Sequence, residues 1–334
     1  MQLRSGELDA HLAKTLAPIY VVHGDEPLLA LEAADAVRAA ARKRGFSERE
    51  VFEAARGFDW SRLSGSLNSL SLFAEKKIVE LRLPGGKPGT DGGEALAAYG
   101  ANPAADTLLL VSLPRLDRKT QESEWFRALG ESGVVVDVWP LDRPRLPGWI
   151  SDRLARQGQK ASREVLEFLA ARVEGNLLAA HQEVQKLALL APAGELALQT
   201  VEGAVTDVAR YDPQDAAEAL LSGDTGRYVH IIEGLRGEGE APTFVLFVIA
   251  NALFVLQSAH ASGSIDAALQ QHRVFGRSLQ SALRGALGRY SATAVDAAVT
   301  DAAAIDRAIK GIRVRDPWEE FIALGLKLAG GSKG

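Results

Sequence analysis

The chain has 334 residues, 47% of them hydrophobic and 24% charged, and its formal net charge at pH 7 is −5. This composition is typical of a soluble globular protein of two or three domains, and the acidic balance argues against a uniformly basic nucleic-acid binder. The sequence has no cysteine, which excludes disulfides, thiolate zinc sites and cysteine nucleophiles. Since we find neither an apolar run as long as a membrane span nor a secretory signal, we expect a cytoplasmic protein without a membrane partner.

Residues 1–140 alternate strand and helix patterns. Runs rich in Val, Leu and Ile predict buried strands at 19–22, 51–53, 77–83, 107–112 and 134–138, with helices near 28–44, 59–69, 91–100 and 121–130. Pro27 fits the first turn of the first of these helices. Continuous apolar strands separated by helices are typical of a parallel sheet that is covered on both faces. We therefore predict an α/β domain over this part of the chain.

The rest of the chain has helical periodicity. Residues 141–210 predict a small helical bundle of the lid type, in which Gly175 interrupts the pattern and Asn176 caps the next helix. Residues 211–334 predict a third, all-helical domain. Within it, the segment from Thr243 to Leu256 is apolar on nearly all sides, which is typical of a helix buried in a core or in a subunit interface.

An α/β domain followed by a helical bundle is the layout of an AAA+ ATPase module, but the residues of the ATPase are missing. A phosphate loop would need G-x-x-x-x-G-K-[ST] after the first strand, where this chain has Gly24-Asp25-Glu26-Pro27-Leu28-Leu29-Ala30-Leu31. The strand 107–112 is likewise not followed by the acidic residues that would bind a metal. The six histidines are scattered, without metal-ligand spacing. We predict a domain that lacks a P-loop and does not hydrolyse ATP, with no catalytic residues, metal or cofactor.

Two segments are candidates for binding. The first is the turn Ser69-Leu70-Ser71-Leu72-Phe73, where two large apolar side chains either pack in the core of their own domain or enter the pocket of a partner. The second is the stretch 267–295, which carries four arginines and no acidic residue: Arg273, Arg277, Arg284 and Arg289. A further basic group follows at Arg307, Lys310, Arg313 and Arg315. Such a face attracts phosphate, although a solvated helix surface has the same pattern.

The sequence resembles the DNA polymerase III subunit delta family of bacteria over nearly its whole length. Short stretches that carry the resemblance occur in the order of the family: 20–29 (Tyr-Val-Val-His-Gly-Asp-Glu-Pro-Leu-Leu), 69–73, 109–126, 174–179 (Glu-Gly-Asn-Leu-Leu-Ala) and 272–275 (His-Arg-Val-Phe). The resemblance implies a subunit of the replicative clamp loader that binds and opens the sliding clamp for loading onto primed DNA. It also implies an AAA+-like domain at 1–140 that contacts the clamp, a lid-type domain at 141–210 and a helical collar at 211–334.

The resemblance also implies partners and site residues. Leu70, Ser71, Leu72 and Phe73 would bind the clamp, since clamp-binding peptides read close to Q-L-[SD]-L-F, and burial of Leu72 and Phe73 would contribute about 2–3 kcal/mol each. Ser69 stands where glutamine is common, so we expect a modestly weaker contact. The other partners would be the clamp (beta subunit), the ATPase subunits, the delta-prime subunit and primed DNA. The chain itself would be a non-catalytic component of the DNA-directed DNA polymerase holoenzyme at the replisome.

DNA contact is assigned by the resemblance to Arg273, Phe275 and Arg277, which combine charge for phosphates with an aromatic ring that stacks on an unpaired base. A tryptophan is common in place of Phe275, and packing of Phe275 in the core is an open alternative. A nucleotide-binding α/β enzyme with a helical substrate domain is the alternative function, and only Gly24-Asp25-Glu26 is available for its site. The delta-prime subunit of the clamp loader fits less well, because zinc-binding cysteines usually mark that subunit and this chain has no cysteine.

Overall fold

A parallel sheet of six strands organises the first part of the chain, as the alternating patterns predict. The computed structural model describes residues 1–69, 76–206 and 208–331, and the chain divides into two units, Met1–Arg156 and Gln157–Gly334. The strand order is β1-β6-β2-β5-β4-β3, and every neighbouring pair is parallel. The strands are β1 Gln2–Arg4, β2 Ile19–Gly24, β3 Phe46–Glu53, β4 Lys76–Arg82, β5 Thr107–Leu113 and β6 Val134–Val138.

Seven helices accompany this sheet within the described residues. They are α1 Leu8–Lys14, α2 Pro27–Lys43, α3 Trp60–Asn68, α4 Gly89–Ala101, α5 Arg118–Gln121, α6 Glu124–Ser132 and α7 Leu146–Arg156. Alternate residues of β2 point to opposite faces of the sheet. Ile19 and Val21 pack with α3, α4 and α6, while Tyr20 and Val22 pack with α1 and α2. The sheet is therefore covered on both faces, as its continuous apolar strands predict.

The two edge strands differ from the prediction. Strand β1 was not expected, and β3 begins at Phe46 rather than at Val51. Residues 47–50 of β3 are polar and exposed, so they lack the apolar pattern by which a buried strand is recognised. Pairing with the central strands determines these edges.

Helix α7 belongs to the first unit. Arg153 on α7 is largely buried, donates to Glu32 on α2 over 2.7 Å and lies over the ring of Trp149. These contacts explain why the first unit extends to Arg156. The expected boundaries after residues 140 and 210 stay predictions.

The second unit is mostly helical. Its helices are α8 Arg163–Val173, α9 Leu177–Leu190, α10 Leu198–Ala204, α11 Pro213–Ser222, α12 Thr225–Glu238, α13 Pro242–Ser262, α14 Ile265–Gln271, α15 Arg277–Arg289, α16 Ala292–Ile309 and α17 Pro317–Gly330. Asn176 accepts a hydrogen bond from the amide of Ala179, which confirms the predicted cap of α9. The prediction that residues 141–210 are all helical was wrong, because β7 Gln159–Ala161 and β8 Gly194–Leu196 form a small parallel sheet. Each strand has only three residues, too few for a recognisable alternation.

Helix α13 is the central helix of the C-terminal core. Eight of its residues are buried among α11, α12 and α14 to α17. By length and composition alone, α13 is apolar enough to cross a membrane, contrary to the expectation that no segment of the chain would be. Its buried face accounts for this composition, because the core helix of a globular domain has the same property.

Candidate functional site

The predicted clamp-binding residues Leu70, Ser71, Leu72 and Phe73 lie outside the described residues. The segments on both sides of them are described. Helix α3 ends at Asn68, with Ser69 as its C-cap, and β4 begins at Lys76.

Helix α3 is held firmly at its start and along its inner face. Asp59 caps it by accepting a hydrogen bond from the amide of Ser61, and Leu63 and Leu67 are buried in the core. The ring of Trp60 packs directly on Gly92 of α4, where a Cβ atom would lie only 2.3 Å from the ring. Any side chain at Gly92 would displace Trp60 and with it the start of α3.

The end of α3 and the start of β4 are joined by side chains. The ammonium group of Lys77 donates to the hydroxyl of Ser69 over 2.7 Å and lies 3.5 Å from Glu50 on β3. The hydroxyl of Ser69 in turn donates to the carbonyl of Ser66 over 3.1 Å. Local sequence patterns do not indicate these contacts, because a lysine at the start of a strand usually faces solvent.

The carboxyl end of β2 is the place where a phosphate loop would lie. Here the backbone packs directly against the neighbouring strand β6 and leaves no space for such a loop. Gly24 has φ of 155°, and a Cβ atom on it would lie 1.7 Å from the carbonyl oxygen of Val138 on β6. The glycine is therefore required by close packing against the neighbouring strand. Glu26 caps α2 through the amide of Leu28, so a carboxylate occupies the helix N-terminus that would otherwise attract phosphate.

A cavity of about 310 Å³ lies at the same edge of the sheet. Among its lining residues, Glu53, Arg82 and Ser112 are polar, and Val22, Leu113 and Pro114 are apolar. Nearby, Arg115 lies 3.6 Å from Asp25 and 4.7 Å above the ring of Trp139.

His23 lies at the end of β2, where its imidazole is buried against Asp137. The Nε2 atom of His23 is 2.7 Å from the carboxylate of Asp137, which also accepts from Gln2. Burial lowers the pKa of His23, although the charge of Asp137 acts to raise it, so the ring is neutral at pH 7. This pair links β1, β2 and β6 and is structural. Among the described residues, no group of three or more His, Cys, Asp or Glu side chains could hold a metal ion.

The second candidate site is the loop between α14 and α15. Arg273 and Phe275 in this loop and Arg277 at the start of α15 are all exposed, and Phe275 is 82% exposed. Packing of Phe275 in the core of its own unit, the alternative left open by the sequence, is therefore wrong. Arg273 has φ of 53°, an uncommon left-handed conformation for a residue with a side chain.

The residue between Arg273 and Phe275 anchors this loop to the core of the second unit. Val274 is buried, its amide donates to the carbonyl of Leu269, and its carbonyl accepts from the side chain of Gln280. His272 Nε2 lies 2.9 Å from the hydroxyl of Ser258 on α13. The anchored valine explains how the adjacent aromatic ring is held outward.

The arginines of the basic stretch differ in their partners. Arg284 pairs with Asp266 at 2.7 Å, and Arg289 donates to the carbonyl of Leu221. Arg273 and Arg277 form no ion pair with any residue in the described part of the chain. In the second basic group, Lys310 pairs with Asp306, while Arg313 and Arg315 both pair with Glu320. Arg307 likewise forms no ion pair with a described residue, so the unpaired charge of the two groups lies at Arg307 and, within 267–295, beside Phe275 at Arg273 and Arg277.

The structure also shows a row of exposed phenylalanines on α13. Phe244, Phe247 and Phe254 lie three and seven residues apart, which places them on one side of the helix. Phe247 is 68% exposed, and the other two are about half exposed. The sequence predicted an apolar helix that is buried in a core or in a subunit interface; within its unit, α13 is buried on one face and carries these three exposed rings on the other. We call them the α13 phenylalanine row.

More apolar surface lies at the same end of the unit. Gln257 near the end of α13 bonds Asp296 near the start of α16, so the two helices run antiparallel. The loop that follows α16 is therefore at the end where Phe244 lies. In this loop, Ile312 and Val314 are both exposed. Exposed apolar groups that are concentrated in this way are typical of an interaction surface.

Comparison with known proteins gives consistent matches over both units. Residues 20–138 match the family model "DNA polymerase III, delta subunit", and residues 213–333 match "Processivity clamp loader gamma complex DNA pol III C-term". The DNA polymerase III subunit delta of Escherichia coli (strain K12) is 32% identical over 98% of this chain and 96% of its own length. The subunit delta of Haemophilus influenzae is 29% identical over 75% of this chain and 73% of its own length.

Among solved structures, the Bacillus subtilis DNA clamp loader delta protein is similar, with a TM-score of 0.51 and 18% sequence identity. The alignment covers 98% of this chain and 99% of that one. At this identity the similarity concerns the fold. It supports the predicted combination of a parallel α/β domain with a helical C-terminal part.

Proposed function

The chain belongs to the DNA polymerase III subunit delta family, and from this premise we propose that it binds and opens the sliding clamp for loading onto primed DNA. The observation that carries the proposal is the 32% identity to the Escherichia coli subunit over nearly the full length of both chains. The close packing of Gly24 against Val138 and the missing phosphate-loop residues support a role without ATP hydrolysis. The alternative of a nucleotide-binding enzyme has no comparable support.

In this proposal, Leu72 and Phe73 enter an apolar pocket of the clamp, with Leu70 and Ser71 beside them. Two buried apolar anchors of this kind typically dominate the binding free energy of a small interface. Part of this free energy stabilises a ring conformation with one interface open, because a ligand shifts an equilibrium only by its differential affinity for the two states. The chain therefore opens the clamp by binding alone.

The second unit serves assembly and DNA in the proposal. The α13 phenylalanine row and the nearby Ile312 and Val314 form the collar surface that packs against the ATPase and delta-prime subunits. Arg273 and Arg277 contact phosphates of primed DNA, and Phe275 stacks on a base. The exposure of Phe275 and the unpaired state of both arginines among the described residues support this assignment. The protein then acts in the cytoplasm, at the replisome.

Binding of the purified chain to the sliding clamp of the same organism tests the proposal. We expect the wild type to bind in surface plasmon resonance and Leu72→Ala/Phe73→Ala to weaken binding about 1,000-fold, since each anchor contributes roughly 2 kcal/mol. The matched control is Leu189→Ala/Leu190→Ala, which removes two adjacent exposed leucines of α9 and should bind as the wild type does. A wild type that does not bind, or a folded double variant at Leu72 and Phe73 that binds equally well, would show that this segment is not the clamp site.

A further inference from the structure

Gln280, near the start of α15, bonds the chain on both sides of Phe275. Its side-chain amide donates to the carbonyl of Val274 over 2.7 Å. Its main-chain amide donates to the carbonyl of Gly276 over 3.0 Å. Val274 and Gly276 are the residues directly before and after Phe275. A single half-buried glutamine thus holds both neighbours of the exposed ring, and the proposed function leaves this residue unexplained.

The side-chain bond of Gln280 fixes the peptide group that joins Val274 to Phe275. Because a peptide group is planar, a hydrogen bond at the carbonyl of Val274 also orients the amide of Phe275. The direction in which the ring leaves the backbone depends on this orientation. Among the described residues, neither the amide nor the carbonyl of Phe275 itself forms a hydrogen bond. The backbone of Phe275 is therefore held through its neighbours.

The two ends of the loop 272–276 are held by different helices. The amides of His272, Arg273 and Val274 donate to carbonyls of α14, so this helix fixes the start of the loop. From the carbonyl of Val274 onward, the bonds of the loop go to Gln280 on α15. Loss of the Gln280 side chain would therefore release the loop at the peptide group before Phe275 and leave its start in place.

We propose that Gln280 is a positioning residue for DNA binding, which holds the loop 272–276 so that the ring of Phe275 has its binding orientation before DNA arrives. The proposal rests on the proposed contact between Phe275 and primed DNA. A group that is ordered before binding loses less conformational freedom on binding, so its affinity is higher. Helix α15 does not itself need an amide at this position, because methionine and glutamine have similar helix propensities.

DNA binding by the assembled clamp loader, with variants of this chain, tests the inference. We expect Gln280→Met, which keeps the length of the side chain but removes the donor, to raise the Kd for a labelled primer–template about fivefold. The matched control is Gln271→Met, the same substitution at an exposed glutamine of α14 whose side chain has no hydrogen bond within the described part of the chain. It should bind DNA as the wild type does.

A double-mutant cycle with Phe275→Ala distinguishes positioning from other roles. If Gln280 acts through the ring, Gln280→Met should cause no further loss of DNA affinity once the ring is removed. All measurements are made at a temperature where every variant is folded by circular dichroism. Clamp binding, which we assign to the first unit, should not change. Gln280→Ala removes the same donor with the strongest helix former, and it replaces Gln280→Met if that variant does not fold.

Each outcome of the cycle supports or overturns the inference. An equal loss of affinity with and without the ring would mean that Gln280 contacts DNA itself or serves stability alone, and the inference would be wrong. It would also be wrong if Gln280→Met bound DNA as the wild type does while Phe275→Ala bound weakly, and the contact of Phe275 would then stand. If Phe275→Ala itself bound as the wild type does, the proposed DNA contact would fail, and this inference with it.

Discussion

At Phe275, a large aromatic ring is held in solvent by its neighbours rather than by its own packing. The adjacent Val274 is buried and bonded to Leu269 and Gln280, so the loop is fixed while the ring stays free. Exposure of such a large apolar ring to water is unfavourable, and Phe275 is 82% exposed. A planar partner that covers the ring, together with the flanking charges of Arg273 and Arg277, would provide the missing contact.

We expect Phe275→Ala to weaken binding of primed DNA by the assembled clamp loader about tenfold, because stacking of one base on an aromatic ring contributes about 1–3 kcal/mol. Phe275→Trp should bind at least as tightly as the wild type, since its stacking area is larger. Fluorescence anisotropy with a labelled primer–template measures both.

The salt dependence of DNA binding tests the role of Arg277. We expect Arg277→Gln to reduce the slope of log K against log salt concentration by about one, because one phosphate contact is lost. Arg284→Gln should leave the slope unchanged, because Arg284 is paired with Asp266. Equal salt dependence in all variants would contradict the assignment of Arg277.

At the scale of an element, the start of α11 combines a cap with a carboxyl group that is difficult to ionise. Asp212 caps the helix through the amides of Gln214 and Asp215, and the side chain of Asp215 accepts from the amide of Asp212 in return. Burial raises the pKa of Asp215 to about 6, and the negative charges of Asp212 and Glu174 act in the same direction. Arg227, at 3.8 Å, opposes this shift only in part.

The raised pKa of Asp215 predicts a pH dependence of stability. Between about pH 4 and pH 6 the folded chain holds a proton on Asp215 that the unfolded chain releases, so the free energy of unfolding falls as pH rises through this range. Asp215→Asn stays neutral and keeps an oxygen that can accept from Asp212. We expect its melting temperature, relative to that of the wild type, to increase from pH 4 to pH 6 and to level off above pH 7. Calorimetry at four pH values measures this difference, and a constant difference would show that Asp215 does not carry the shift.

Across the whole molecule, the elements were predicted better than their contacts. The central strands were recognisable because their runs of Val, Leu and Ile are buried on both faces. The start of α2 at Pro27 and the cap of α9 at Asn176 were recognisable because they depend on neighbours in sequence. The edge strands β1 and β3 and the short β7 and β8 depend on pairing with distant segments. Three-dimensional contact, which local patterns do not encode, determines them.

The same distinction holds for the side chains of the candidate sites. The exposed Phe275 was selected by resemblance, but its exposure followed from the anchoring of Val274, which a sequence alone does not give. Nor do the buried charges have a local pattern. Glu80 on β4 bonds Arg38 at 3.1 Å and Arg49 at 2.7 Å, and these bonds lower its pKa although burial alone would raise it. Arg38 and Arg49 are 42 and 31 residues away from Glu80 in the sequence, so local patterns do not reveal this network. The same is true of Lys77, whose partners Glu50 and Ser69 are 27 and 8 residues away.

The α13 phenylalanine row concerns the association of this chain with other subunits. A helix whose opposite face already fills the core of its unit does not need three further rings for folding, and their exposure favours association. Its central ring, Phe247, is the most exposed of the three. We expect Phe247→Asp to weaken incorporation of the chain into the complex with the ATPase and delta-prime subunits about 30-fold, since truncation of a central aromatic anchor typically costs about 2 kcal/mol or more.

Size-exclusion chromatography with light scattering, over a range of subunit concentrations, measures this loss of assembly. The matched control is Leu189→Asp, which places the same charge on an exposed apolar position of α9, outside the row. It should assemble as the wild type does. The isolated Phe247→Asp chain should melt at or above the temperature of the wild type, because an exposed ring contributes little to the core and a carboxylate is better solvated. If Phe247→Asp assembles normally, another surface of the second unit must form the collar, and the row then requires a different partner.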